Sequence, residues 1–145
     1  MALGYDHVPH RARGRRVSGR IFVVDDDPAM VEAVAMVLSL YGFEVDGASD
    51  SAAALRAVMR DHPALLVLDV NMPGLTGWEL CEIVRRQPLT RDLPILFLTG
   101  RSEVRDRITA MQVGGTDHLT KPFRAEELRA RVRALTAAAP ARGEA

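Results

Sequence analysis

Acidic, hydroxyl and amino side chains follow four short apolar runs of the sequence. Aspartates at 25–27 follow IFVV, Asp69 follows ALLVL, Thr99 follows ILFL and Lys121 follows DHLT. Carboxylates that face one another raise one another's pKa unless a cation lies among them. We therefore expect a hard divalent cation with oxygen ligands, and the small number of carboxylates favours Mg²⁺ over a Ca²⁺ cage. No cluster of cysteine and histidine in the sequence suggests zinc.

Lys121 is the only lysine among the 19 lysine and arginine residues of the chain. A compact ammonium on a flexible stem can pair with Asp69 and then follow a phosphoryl oxygen on that aspartate. A planar guanidinium is bulkier and suits a bidentate grip. The lone lysine therefore indicates charge stabilisation in phosphoryl chemistry. Pro122 follows it directly, and a cis bond between the two would fix the direction of the lysine.

An alternation of apolar runs and helix-period segments positions these side chains. Runs rich in Val, Ile, Leu or Phe predict strands at 21–24, 43–48, 64–68, 95–98 and 117–120. Segments with helical periodicity lie between the runs and after the last one, which is typical of βα units around a parallel sheet. Because the carboxyl ends of parallel strands share one edge of the sheet, the polar residues are expected to converge there.

The first helix has the clearest boundaries. Asp27 suits the N-cap, Pro28 suits the first helical position and Gly42 ends the segment. Its predicted buried face holds Val31, Val34, Ala35 and Leu38. The second and third helices are predicted near 50–60 and near 77–87. The fourth follows Ser102 and carries Val104, Ile108 and Met111 on one face. The fifth carries Leu128, Val132 and Leu135.

Length and composition limit the chain to one domain. Its 145 residues are 48% hydrophobic and 26% charged. Residues 1–19 are expected to be a basic solvated tail, 20–136 the domain and 137–145 a second tail. Residues 1–20 hold five arginines and one aspartate, which leaves the rest of the chain net acidic, so no nucleic-acid partner is expected. The lone cysteine, Cys81, excludes an internal disulfide, and without an apolar membrane span we expect a cytoplasmic protein.

Four motifs together resemble the receiver domain of bacterial two-component response regulators. They are VVDDDP, LVLDVNMPGLTGWEL, ILFLTG and LTKPF, in family order from about Arg20 to Leu135. The resemblance implies a doubly wound, flavodoxin-like α/β fold, with five helices around a five-stranded parallel sheet of order 2-1-3-4-5. The chain as a whole is similar to a single-domain, chemotaxis-regulator-like protein. The alternative interpretation is that it is the receiver fragment of a longer regulator.

The resemblance also implies a phosphoacceptor and its metal. Asp69 would take a phosphoryl group from a sensor histidine kinase or a histidine phosphotransfer protein. Mg²⁺ would be bound by Asp69, by Asp26 directly, by Asp25 largely through water, and by the backbone carbonyl of Asn71. The protein would be an acceptor that hydrolyses its own acyl phosphate, and not a turnover enzyme.

A switch is the third implication of the resemblance. Thr99 and Lys121 would hold the phosphoryl oxygens, and movement of Thr99 would change the face formed by helix four, strand five and helix five. That face would bind a downstream protein or a second phosphorylated copy of the chain, and no membrane partner is expected.

Three positions depart from the family pattern. His118 stands where receivers usually carry Tyr or Phe, and it would act as the switch ring or make the coupling sensitive to pH. Gly100 replaces the more frequent alanine and would admit water to the acyl phosphate. The residues GGT at 114–116 would loosen the approach to strand five.

Three other classes of protein compete with this interpretation. A dehalogenase-like phosphatase needs a second acid two residues after its nucleophile, where this chain has Asn71. A dinucleotide-binding domain needs a glycine-rich first turn, which VVDDDPAM lacks. A phosphate-independent scaffold or dimerisation receiver would have lost Asp69 or Lys121, and both are present.

Overall fold

The computed structural model describes residues 19–100 and 104–138, where strands and helices alternate. The predicted tails at 1–19 and 137–145 lie almost wholly outside these residues. The elements are β1 Arg20–Val24, α1 Pro28–Leu40, β2 Glu44–Ala48, α2 Ser51–Asp61, β3 Leu65–Asp69, α3 Gly77–Arg86, β4 Ile95–Thr99, α4 Val104–Gln112, β5 Asp117–Thr120 and α5 Ala125–Ala138. Each predicted strand and helix is present, and the ends of the strands lie within one residue of those predicted.

The five strands form one parallel sheet of order β2-β1-β3-β4-β5. The predicted fold class and strand order are therefore confirmed. Register pairs Val24 with Leu68, Asp69 with Leu98, and Thr99 with Thr120. The carboxyl ends of the strands are thus level, and the residues at those ends meet at one edge of the sheet.

Helices cover both faces of the sheet and separate two apolar clusters. On one face, buried residues of α1 and α5 form a cluster with Ile21 and Val23 of β1. On the other face, buried residues of α2, α3 and α4 form a cluster with Phe22 and Val24 of the same strand. The buried positions of α1 are those that the sequence predicted, namely Val31, Val34, Ala35 and Leu38. Among the described residues, no helix is long and apolar enough to cross a membrane.

The ends of α1 follow from local side-chain chemistry. An Asp27 carboxylate oxygen accepts a hydrogen bond from the Ala29 backbone N–H at 3.0 Å, and Pro28 needs no acceptor for an N–H. At the other end, the Phe43 N–H donates to the Leu38 carbonyl at 3.1 Å across Gly42, whose φ is +96°. Asp27 therefore begins the helix and Gly42 ends it, as predicted.

The predicted buried face of α4 is wrong at Ile108 and Met111, and the side chain of Val104 lies outside the described residues. Ile108 and Met111 are 51% and 62% exposed, whereas Ala110 is 1% exposed. The carbonyl of Ala110 accepts a hydrogen bond from the Gly115 N–H at 2.7 Å, so the end of α4 lies close against the following turn. Ala110 therefore takes the buried position at this end of α4, and Ile108 and Met111 face solvent.

Hydrogen bonds hold the turn before β5 in place, contrary to the expectation that residues 114–116 loosen the approach to this strand. Thr116 exchanges two hydrogen bonds with Ile95, at 2.9 Å through its backbone N–H and at 3.0 Å through its hydroxyl oxygen. The Arg85 Nε–H donates to the Gly114 carbonyl at 2.9 Å. A Cβ at Gly115 would lie 2.5 Å from the Phe97 ring, so glycine here permits close packing and does not provide looseness.

Candidate functional site

Three carboxylates meet at the carboxyl edge of the sheet. Asp25 and Asp26 follow β1 directly, Asp69 is the last residue of β3, and one oxygen from each lies within 4.8 Å of the other two. Asp25 and Asp69 are 1% and 4% exposed, whereas Asp26 is exposed. The convergence that the sequence predicted is observed, and one carboxylate of the cluster faces solvent.

Lys121 lies between the two buried carboxylates. Its Nζ donates to Asp25 Oδ2 at 2.9 Å and to Asp69 Oδ1 at 3.1 Å. The other Asp25 oxygen accepts a hydrogen bond from the Asp27 N–H at 3.0 Å. The sequence predicted the pairing with Asp69 but not the one with Asp25, because no local pattern signals a contact between residues 96 positions apart.

Burial and repulsion shape the electrostatics of this cluster. Burial and, to a smaller extent, the charge of Asp25 outweigh the opposing effect of Lys121 and together raise the pKa of Asp69 to about 6. Burial lowers the pKa of Lys121, but hydrogen bonds and charge from Asp25 and Asp69 outweigh it, so the pKa is raised overall. Lys121 therefore stays charged at neutral pH, and the cluster retains excess negative charge.

Thr99 carries a buried hydroxyl group that makes no hydrogen bond within the described part of the protein. It ends β4, is 2% exposed, and its hydroxyl has no hydrogen-bond partner among the described residues. A buried hydroxyl without a partner costs about 1–3 kcal/mol, so such groups are rare unless they serve a ligand. Its position at the level of Asp69 in the sheet makes it available to a group bound at the carboxylates.

The remaining predicted site residues lie around this edge. Asn71 is exposed, two residues after Asp69, and Gly100 is exposed directly after Thr99. The Lys121–Pro122 bond is cis, as the sequence interpretation proposed. His118 is half-buried in β5 opposite Phe97, and its carbonyl accepts a hydrogen bond from Arg131 Nη1 at 2.7 Å.

Trp78 and Cys81 pack in α3, as predicted, and take no part in the cluster. The Trp78 ring lies 4.6 Å from the Phe97 ring, centroid to centroid. Burial raises the pKa of the Cys81 thiol to about 11, and its S–H donates to the Val113 carbonyl at 3.2 Å. A thiol that stays protonated at neutral pH is a poor nucleophile, so Cys81 is a packing residue.

The arrangement fits a hard cation and a phosphoryl group. Three carboxylates against one ammonium leave excess negative charge that a divalent cation would neutralise, and oxygen donors are the ligands Mg²⁺ prefers. The Thr99 hydroxyl and the Lys121 ammonium are donors suited to phosphoryl oxygens. Asp69 accepts a hydrogen bond from Lys121 and lies in the sheet beside Leu98, the residue before Thr99, so it is the nucleophile candidate of the site.

Comparison with known proteins places this chain in a family. Residues 21–133 match the model of the response regulator receiver domain. Response regulator MprA of Mycobacterium leprae is 48% identical over 116 residues, which are 80% of this chain and 50% of that protein. DNA-binding dual master transcriptional regulator RpaA of Synechocystis is 39% identical over 116 residues, covering 80% of this chain and 48% of its own length.

A solved structure gives the same result. The chemotaxis response regulator CheY4 of Vibrio cholerae is 31% identical, with a TM-score of 0.78 over 82% of this chain and 99% of that one. The chain spans about half the length of the curated relatives it matches. Fold, motifs and relatives agree, and the chain therefore belongs to the response regulator receiver domains of two-component signalling.

Proposed function

We propose that the chain accepts a phosphoryl group on Asp69 from the phosphohistidine of a sensor histidine kinase or a histidine phosphotransfer protein. One observation carries this proposal. The buried Asp69 carboxylate lies 3.1 Å from the only lysine ammonium and within 4.8 Å of the Asp25 and Asp26 carboxylates. Such a site combines a nucleophile, a charge-stabilising cation and ligands for Mg²⁺.

The chemistry is a transfer between two nucleophiles. An Asp69 oxygen forms a bond to phosphorus while the bond from phosphorus to the donor imidazole nitrogen breaks, and that nitrogen keeps the electron pair and takes up a proton. Lys121 holds Asp69 in place beforehand and then neutralises charge on a phosphoryl oxygen. When bound at Asp25, Asp26, Asp69 and the Asn71 carbonyl, Mg²⁺ supplies further charge neutralisation.

The acyl phosphate would act as a switch and be lost by hydrolysis, so the chain would be a signalling acceptor and not a turnover enzyme. Thr99 would donate its hydroxyl to a phosphoryl oxygen, which would draw the end of β4 inward. The change would reach the face formed by α4, β5 and α5, with His118 as the switch ring. A downstream protein or a second copy of the chain, in the cytoplasm, would bind that face.

Longer relatives support a second candidate, in which this chain is the receiver part of a multidomain regulator. The curated relatives are about twice as long as the matched segment, and one of them is named a DNA-binding regulator. In that case the switch face would contact an output segment of the same protein. The phosphoryl chemistry at Asp69 is the same in both cases.

Intact mass measured after incubation with acetyl phosphate tests the proposal. We expect the wild-type chain to gain one phosphoryl group only when Mg²⁺ is present, and the Asp69→Asn variant to gain none. A wild-type chain that binds Mg²⁺ and gains nothing, even from added histidine kinases, would favour the phosphate-independent scaffold instead.

Thr99→Val is expected to separate catalysis from stability. Valine keeps the shape of threonine but removes the unpartnered hydroxyl, so the free energy of unfolding should stay the same or rise by about 1 kcal/mol. The initial rate of phosphoryl gain should fall about 10- to 100-fold, because a donor to the phosphoryl oxygens is lost. Thr99→Ser keeps the hydroxyl and should retain most of the rate, and equal losses in both variants would contradict the assignment.

Gly100→Ala is expected to prolong the phosphorylated state. A Cβ at Gly100 would meet no heavy atom of the described residues within 4 Å, so the added methyl should leave the fold unchanged. It would reduce access of water to the acyl phosphate and slow its loss on the order of 2- to 10-fold. The decay of the phosphorylated mass after removal of the donor measures this, and unchanged decay would show that Gly100 does not control water access.

A further inference from the structure

Gly77, the first residue of α3, lies directly against the backbone of the phosphoacceptor. A Cβ built at Gly77 would lie 2.2 Å from the carbonyl oxygen of Asp69 and 2.9 Å from the Cα of Val70. Both distances are shorter than real Cβ contacts, and both neighbours are backbone atoms that cannot rotate away. The Gly77 N–H also donates to the Val70 carbonyl at 3.0 Å, so the chain closes back on the end of β3.

Hydrogen bonds hold in place both backbone segments that meet at Gly77, the end of β3 and the start of α3. The Val70 N–H donates to the Leu98 carbonyl at 3.2 Å, which holds the end of β3 against β4. On the other side, Thr76 and Glu79 form a reciprocal capping box that holds the first turn of α3. A side chain at Gly77 would therefore have to displace the backbone of Asp69 or the start of α3.

We propose that Gly77 is a positioning residue, which sets where the Asp69 carboxylate and the loop bearing Asn71 lie relative to Asp25, Asp26 and Lys121. The contact closes residues 70–77 into a loop, and Asn71 lies within it. The inference rests on the proposed function, because it concerns how the phosphoacceptor is held. It adds a residue that carries no functional group and acts only through the space it leaves.

Gly77→Ala is the smallest change that tests this role. A displacement of about 1 Å at a reacting group costs about 100-fold in rate, so we expect the initial rate of phosphoryl gain at saturating Mg²⁺ to fall at least about 10-fold. Binding of Mg²⁺ should weaken about 10-fold as well, because residues that orient metal ligands have effects of that size. Isothermal titration calorimetry with Mg²⁺ gives the second value without any phosphodonor.

Gly115→Ala is the matched control, because it adds the same methyl against packed atoms at the opposite edge of the sheet. Its Cβ would lie 2.5 Å from the Phe97 ring and 2.8 Å from the Ala110 carbonyl oxygen. We expect it to lower the melting temperature while keeping Mg²⁺ affinity and rate within about 3-fold of wild type. Equal impairment of both variants, or a Gly77→Ala variant that matches wild type, would overturn the proposal.

Two further readouts keep the outcomes distinct. If the wild-type chain gains no phosphoryl group, the proposed function fails, and the Mg²⁺ affinities alone decide the role of Gly77. If Gly77→Ala does not fold even in sucrose, hydrogen exchange of the wild-type Gly77 amide decides it. Exchange as slow as that of Val67 in β3 would support a rigid contact, and exchange as fast as that of an exposed loop amide would overturn it.

Discussion

Lys121→Ala is expected to lower the free energy of unfolding at neutral pH by about 2–4 kcal/mol and the rate of phosphoryl gain about 100- to 1000-fold. The ammonium contacts two carboxylates that are almost fully buried, at 2.9 and 3.1 Å. Without it, the buried carboxylates of Asp25 and Asp69 would lie close together with no counter-charge. Urea unfolding and the acetyl phosphate reaction measure the two effects.

Mg²⁺ and the choice of control sharpen this prediction. Saturating Mg²⁺ should recover part of the lost stability, since it supplies positive charge to the same carboxylates.

Arg60→Ala is the matched control, because it removes a cation paired at 2.9 Å with Asp61 on the surface, and we expect no measurable change in either stability or rate. Lys121→Arg should recover stability more than rate, because a guanidinium can pair with both carboxylates but is too bulky and rigid to follow a phosphoryl oxygen on Asp69 as the compact ammonium can. Equal losses in Arg60→Ala and Lys121→Ala would contradict a special role for the ammonium.

Asp69→Asn is expected to stabilise the metal-free chain by about 2–3 kcal/mol above about pH 6, and to give little gain near pH 4. Burial, followed by repulsion from Asp25, raises the pKa of Asp69 to about 6 from its ordinary value of 3.8. The folded state therefore binds more protons than the unfolded state between these values. The contribution of protonated Asp69 to the free energy of unfolding is therefore fully present below about pH 4 and is lost as the pH rises through about 6.

Urea unfolding of wild type and Asp69→Asn in a chelator, at about pH 4 and about pH 8, measures the difference. Asp27→Asn is the control, because Asp27 is an exposed N-cap for which asparagine is an equal substitute. Added Mg²⁺ should stabilise the wild-type chain more than Asp69→Asn. A difference between wild type and Asp69→Asn that does not change with pH would contradict the raised pKa.

Local patterns of the sequence determined the order of elements and the residue types of the site. Alternation of apolar runs and helical periods predicted the order of all five strands and all five helices, and the ends of the strands within one residue, because each buried strand and each amphipathic face leaves its own period. The placement of Asp25, Asp26, Asp69, Thr99 and Lys121 at one edge followed from parallel strands sharing that edge. The prediction failed for Ile108 and Met111, because periodicity does not show how closely a helix approaches its neighbours.

Only the tertiary structure decided how these residues contact one another. The pairing of Lys121 with Asp25 joins residues 96 positions apart, and it depends on how the connections after β1 and β5 turn inward. The close approach of Gly77 to Asp69 likewise depends on the path of the loop that leaves β3. Both are distances set by packing of elements that are separate in the chain, whereas a sequence pattern records only which residues each element carries.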